Sequence, residues 1–208
     1  MKKIALLIIS FFALSININA QETARNSNTG NSGEKFVPHW QFAMEGVGYG
    51  FLKDGWDWEI LSIGANYHFN EKAFIGARIG YKIVTYQSSS IQPYNSVTSD
   101  YECDYISIPI ELGYVIYNGS TIQLVPFAGA ALNIGWDGES EFSYNGHKQK
   151  EDLDIRGKTG VDGRIGIKAT FWESLGISVS YHIPLNSKQE EIFTGEDGYP
   201  RIGLTYAF

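Results

Sequence analysis

Ser178, Ser180 and His182 are the residues whose types come nearest to a catalytic pair, with Asp162 and Arg164 earlier in the chain. A serine hydroxyl beside an imidazole is the minimum for acyl-transfer chemistry, the imidazole taking the hydroxyl proton. Here, however, the spacing is two, and residues two apart share a face in any β-strand. Strand geometry accounts for the juxtaposition, and no catalytic residue is expected. Two other groups could bind ions. Asp137, Glu139, Glu141, Glu151, Asp152 and Asp154 form one acidic run, and Glu190, Glu191, Glu196 and Asp197 another. Neither follows the fixed ligand spacing of an EF-hand, so both read as solvated loops with at most weak divalent-ion contact. Cys103 is the single cysteine, which excludes a disulfide framework and a cysteine-rich zinc site. With 16 Lys and Arg against 23 Asp and Glu, the formal charge is -7. An acidic chain with no basic stripe is a poor nucleic-acid binder. No cofactor and no bound metal are expected.

A third set of charges is spread along the chain: Glu45, Arg78, Lys82, Glu111, Asp162, Arg164, Lys168, His182 and Arg201. What they can do depends on the elements that carry them. From Phe36 onward the polarity alternates with period two, the mark of strands with one apolar face. Eight segments follow at about 38–50, 58–69, 73–86, 103–117, 121–136, 159–172, 175–185 and 199–208. In the third, for example, Ile75, Ala77, Ile79, Tyr81 and Ile83 alternate with Gly76, Arg78, Gly80 and Lys82. The fifth is least regular, because Val125 and Phe127 break the parity of Ile122, Leu124, Ala128, Leu132 and Ile134. Connections of 51–57, 87–102, 137–158 and 186–198 alternate with short ones at 70–72, 118–120 and 173–174. Asn118-Gly119 is a strong hairpin signal.

The nine charges sit on the polar faces of these strands. Whether that face lines the inside of a barrel or its surface is decided by three features. Gly64, Gly76, Gly80, Gly113, Gly166 and Gly176 lie on the polar face, where a crowded interior favours small residues and a water-facing surface gains nothing from them. Aromatic residues precede each short turn or the chain end: Tyr67 and Phe69, Tyr114 and Tyr117, Phe171 and Trp172, Tyr206 and Phe208. Such rings prefer a lipid–water boundary. A soluble barrel, finally, has no use for a strand that stops on Phe208. No apolar stretch beyond the N-terminal one is long enough for a membrane helix, and lipid tolerates strands only in a closed barrel.

The N-terminus carries Lys2 and Lys3, an apolar run from Ile4 to Ile18 and a small Ala20, the order of a secretory signal peptide. Residues 1–20 are therefore expected to be removed, 21–35 to form a flexible periplasmic lead-in, and 36–208 to form the barrel. Loss of Lys2 and Lys3 would leave 14 basic against 23 acidic residues, a charge of -9.

The last strand, with Ile202, Leu204, Tyr206 and Phe208 on alternate positions, resembles the C-terminal assembly signal of bacterial outer-membrane barrels. Together with the signal peptide, loop pattern and size, it makes residues 36–208 similar to the small eight-stranded outer-membrane β-barrels of Bacteroidetes (PorT-like), and more distantly to OmpA- and OmpX-type barrels. The resemblance implies an all-β, eight-stranded antiparallel transmembrane β-barrel of up-and-down meander topology in the Gram-negative outer membrane, with both termini periplasmic. The partners it implies are outer-membrane lipid, lipopolysaccharide and the barrel-assembly machinery, with an extracellular or envelope protein partner left open. Eight strands leave an interior just wide enough for side chains to fill, and charges confined there must pair. Glu45 is expected near Arg201 and Glu111 near Arg78, giving a structural plug. The expected role is structural or surface interaction without enzymatic activity. The alternatives are a narrow solute or ion conduit, a lipid-modifying enzyme and a secreted lipocalin-like ligand-binding barrel.

Overall fold

The computed structural model describes residues 36–52, 54–92, 95–144, 147–172, 174–185 and 198–207, and of 89–92, 95–96 and 207 the backbone alone. The expected signal peptide and lead-in, Phe208, and Glu190, Glu191, Glu196 and Asp197 lie outside the described residues. Pro38–Ala207 form one compact unit.

Among the described residues ten strands follow in order: β1 (His39–Leu52), β2 (Gly55–His68), β3 (Ala73–Gln92), β4 (Asn95–Tyr114), β5 (Tyr117–Asn118), β6 (Ile122–Tyr144), β7 (His147–Asp152), β8 (Thr159–Phe171), β9 (Leu175–Pro184) and β10 (Tyr199–Ala207). All pairings are antiparallel, and β4–β6 and β1–β10 close a ring of β1, β2, β3, β4, β6, β8, β9 and β10. This is the eight-stranded up-and-down barrel read from the alternation. β5 and β7 are short additions that pair only with β6.

Burial follows the alternation directly. In β9 every second residue is buried and its neighbours are exposed. The exposed set is apolar, with Ile165 and Leu112 at 58% and Val179 and Leu204 near half, while the buried set is polar or charged. The apolar surface thus faces out, as a lipid-immersed wall requires. Among the described residues three bulges re-aim the strands: register shifts between Glu45 and Val47 in β1, between Glu59 and Leu61 in β2, and opposite Asp104 and Tyr105 of β4, where β6 carries the extra Trp136. Each adds one residue, so the parity beyond it inverts.

Buried apolar side chains gather toward both ends of the barrel. At the near end, where β1 begins and β10 finishes, Phe74, Val115 and Val125 pack together with Phe127 buried nearby. The irregular parity of Val125 and Phe127 is thereby explained, since they point in. At the far end Val84, Cys103, Tyr105 and Ile155 form a second cluster, flanked by Leu52 and Leu153.

The far end differs from the expected loops. Residues 87–92 and 95–102 continue β3 and β4 to a Gln92–Asn95 pair, and 137–144 continue β6, with β7 against its edge. Apart from the ring contact between Tyr101 and Phe142, these stretches are mostly polar in sequence, so no alternation marks them, yet their ladders are continuous. They form a four-stranded extension beyond the start of β2, with a cleft of about 620 Å³ bordered by Trp56, Asp100, Glu102, Glu139 and Glu141. On this extension Asp100 faces Glu141 and Glu102 faces Glu139 across the strands, an arrangement that repels. Lys148 meets Glu141 at 2.5 Å and Lys150 meets Glu139 at 3.0 Å. The Lys148 hydrogen bond holds the Glu141 carboxyl below its ordinary range and raises Lys148.

The β3–β4 ladder lapses once, between Ala77–Ile110 and Gly80–Ser107. Pro109, which lacks a backbone donor, lies in that gap.

The outward apolar face has a measurable consequence. In urea unfolding from lipid vesicles, Ile165→Lys should cost about 2–4 kcal/mol, as expected for a basic residue near the bilayer midplane. Lys150→Met, beyond the barrel wall, should change stability by less than about 0.5 kcal/mol.

The charged lumen as candidate functional site

Glu45, Arg78, Lys82, Glu111, Asp162, Arg164, His182 and Arg201 are all buried, and the Lys168 side chain is 11% exposed. They come from β1, β3, β4, β8, β9 and β10, each on the inward parity of its strand.

One ion-pair set runs through Glu111 and Glu45. Arg78 donates from its two terminal nitrogens to the two oxygens of Glu111 at 2.8 and 2.7 Å. Lys168 reaches Glu111 Oε1 at 3.4 Å. Arg78 lies 3.5 Å from Glu45, which also faces Arg201 at 3.7 Å and Arg164 at 4.0 Å. Arg201 meets Glu59 at 2.5 Å. The second set centres on Lys82, 3.1 Å from Asp57 and 3.2 Å from Asp162. Lys82 also donates to the Tyr199 hydroxyl at 3.0 Å, and that hydroxyl donates to Asp57. Asn133 Nδ2 donates to Asp162 at 2.7 Å.

Glycine makes the seam between β1 and β10 possible. A Cβ at Gly203 would lie 2.5 Å from Glu45 Oε1, and one at Gly48 would collide with the Arg201 guanidinium. Larger residues at either position would displace the charges that link the first and last strands.

The alternation missed four members of the network. Asp57 and Tyr199 stand at strand ends that read as loop or boundary. Glu59 shares the parity of Leu61 in sequence and turns inward only through the bulge after it. Asn133 sits in the irregular fifth segment. None carries a local signal, because a bulge is set by pairing with the neighbouring strand. Of the assembly-signal residues, Ile202 and Leu204 face out.

Ion pairing is the chief contact these side chains make. His182 Nε2 accepts from Arg164 Nε at 3.2 Å, and Nδ1 has no hydrogen-bond partner. Neither ring nitrogen bonds a serine, and Ser178 Oγ instead donates to the Gly203 carbonyl at 3.4 Å. Among the described residues no three His, Cys, Asp or Glu converge on a metal geometry.

Removing one partner from such a buried pair leaves the other charge uncompensated, which typically costs 3–5 kcal/mol. Glu111→Gln should therefore destabilise the barrel by roughly that amount in equilibrium unfolding. The double variant Arg78→Met/Glu111→Met should lose less than the sum of its single changes, the coupling expected of residues in contact.

Three comparisons bear on this architecture. No curated protein matches the chain. Among solved structures it is similar to Ail, the attachment invasion locus protein of Yersinia pestis, at 14% identity over 83% of this chain and 100% of that one, with a TM-score of 0.42. It is similar to the outer membrane enzyme PagL at 13% identity over 82% and 99%, TM-score 0.35. It is also similar to Neisserial surface protein A at 13% identity over 83% and 97%, TM-score 0.31. The model of the outer membrane protein beta-barrel domain matches residues 7–208. With the match spanning nearly the whole sequence, the chain belongs to the outer membrane protein beta-barrel family, whose place is the bacterial outer membrane.

Proposed function

We propose that this protein is a non-enzymatic outer-membrane barrel with a permanently plugged lumen, acting through structure and through the surface it presents at its far end. The carrying observation is the filled interior. Two ion-pair sets occupy the middle of the lumen, and apolar clusters stand at both ends. A water-filled pore belongs to barrels of about 16 strands or more. His182, with one nitrogen on Arg164 and the other unpartnered, offers no serine a base.

In this reading residues 1–20 are a cleaved signal peptide, both mature termini are periplasmic, and the extended β3–β4 and β6–β7 hairpins project outward from the cell. Their cleft and aromatic residues, among them Trp56, Tyr86 and Tyr101, suit contact with a partner at the cell surface, since aromatics among polar groups are a common interface composition.

Planar-bilayer recordings should give no stable single-channel steps, and reproducible steps would overturn the plug. For orientation, a Lys148→Cys variant in a Cys103→Ser background should react with a membrane-impermeant thiol reagent in intact cells. Reaction only after the outer membrane is opened would reverse the assignment. Photo-crosslinkers at Lys148 in the same cells should yield a discrete adduct; its absence would leave the structural role alone.

A further inference from the structure

A small cavity lies inside the barrel near the end where β1 begins and β10 finishes. It measures about 40 Å³, more than the roughly 10–15 Å³ a water-sized group needs. Two cations, Arg78 and Lys168, line it, together with amides and hydroxyls from Gln41, Gln123, Thr170 and Thr205, and no carboxylate does.

Both cations have hydrogen-bonding capacity left over. Arg78 uses its terminal nitrogens on Glu111, while its Nε–H is buried without an acceptor. Lys168 has a single ion-pair contact, at 3.4 Å, to an oxygen that already accepts from Arg78 at 2.8 Å. The ion-pair set that contains them joins Arg78, Arg164, Lys168 and Arg201 to Glu45, Glu59 and Glu111. That is four cations against three carboxylates, an excess of one positive charge.

The opposite imbalance, Lys82 against Asp57 and Asp162, makes the ten charges neutral together, and Asp57 acts on Arg201 through space, but this compensation lies far from Lys168. Asp162 and Lys168 belong to the same strand, β8, and at about 3.3 Å per residue they stand roughly 20 Å apart along it. Lys168 shares its one carboxylate oxygen with Arg78 and otherwise meets the Phe127 ring, 5.8 Å away; a weakly paired charge inside a barrel is costly, and a small anion beside Lys168 would reduce that cost.

We propose that this cavity binds a small inorganic anion of halide size, held by Lys168 Nζ and Arg78 Nε and bordered by the amides and hydroxyls around them. The anion would complete the first ion-pair set and brace β3 against β8 through the lumen. The geometry needs only the folded barrel and is independent of whether the far end meets a partner.

The probe is chloride, titrated against gluconate at constant ionic strength, with the purified barrel in detergent micelles and the midpoint of heat-modifiable gel migration as readout. Chloride should raise the midpoint saturably. Lys168→Met should abolish the saturable rise, and Lys150→Met, on the exposed extension, should keep it. Because Lys168→Met could impair folding, Thr170→Val is the second variant. It keeps every charge and removes one hydroxyl donor, and should shift the chloride titration to about tenfold higher concentration, as the loss of one hydrogen bond to a charged group implies. An equal response to chloride and gluconate, as water alone in the cavity would give, overturns the proposal. So does a saturable chloride response unchanged in both variants, or saturation by phosphate with none by chloride.

Discussion

The bidentate contact between Arg78 and Glu111 ties β3 to β4 where their backbone ladder lapses around Pro109. In a lipid-immersed wall every missing ladder bond matters, because no water stands by to replace it. The side-chain pair therefore serves twice: it neutralises two buried charges, and it joins neighbouring strands at their weakest stretch. Glu45 extends the same set to β8 and β10, and Arg201 extends it to β2 through Glu59. A network of this kind, with members from most of the ring strands, links the wall across its interior as well as along its hydrogen-bonded seams.

The outward and inward faces answer to different physics. Outside, any apolar residue of moderate size suffices, since lipid imposes no shape. Inside, each charge constrains its neighbours. Gly48 and Gly203 leave the volume that Arg201 and Glu45 occupy, and Phe74, Val115 and Val125 pack together toward the end where β1 begins. A buried ion pair is not in itself a strong stabiliser, because desolvation offsets most of its attraction. Its consequence is conditional: once the charges are inside, the barrel is stable only with all of them in register. The network thus selects one closure over alternatives shifted by two residues, which would preserve the apolar face but separate Glu45 from Arg201.

Strand number, topology and the apolar outer face were legible because lipid on one side and a narrow lumen on the other enforce period two along most of each strand. Legibility failed wherever that enforcement lapses. Residues 87–92, 95–102 and 137–144 stand clear of the barrel wall, are mostly polar in sequence and read as loop, although their ladders are unbroken. Glu59 was hidden by a bulge whose cause lies in pairing between strands. Val125 and Phe127 break the outward parity because they are buried inside the barrel. The inward charges could be assigned to a face from alternation, but their contacts depend on barrel shear, which no single strand encodes.

The central claim is that the middle of the lumen is filled and gives solvent no path through the folded barrel. Ser62 lies fully buried in β2 on the inward face, and a Ser62→Cys variant in a Cys103→Ser background places one small thiol there. The rate of its reaction with a water-soluble methanethiosulfonate reagent measures access to the lumen directly. A filled lumen predicts labelling only when the barrel unfolds, at a rate that follows unfolding in urea. Rapid labelling of the folded barrel would show a solvent path through the interior and contradict the account.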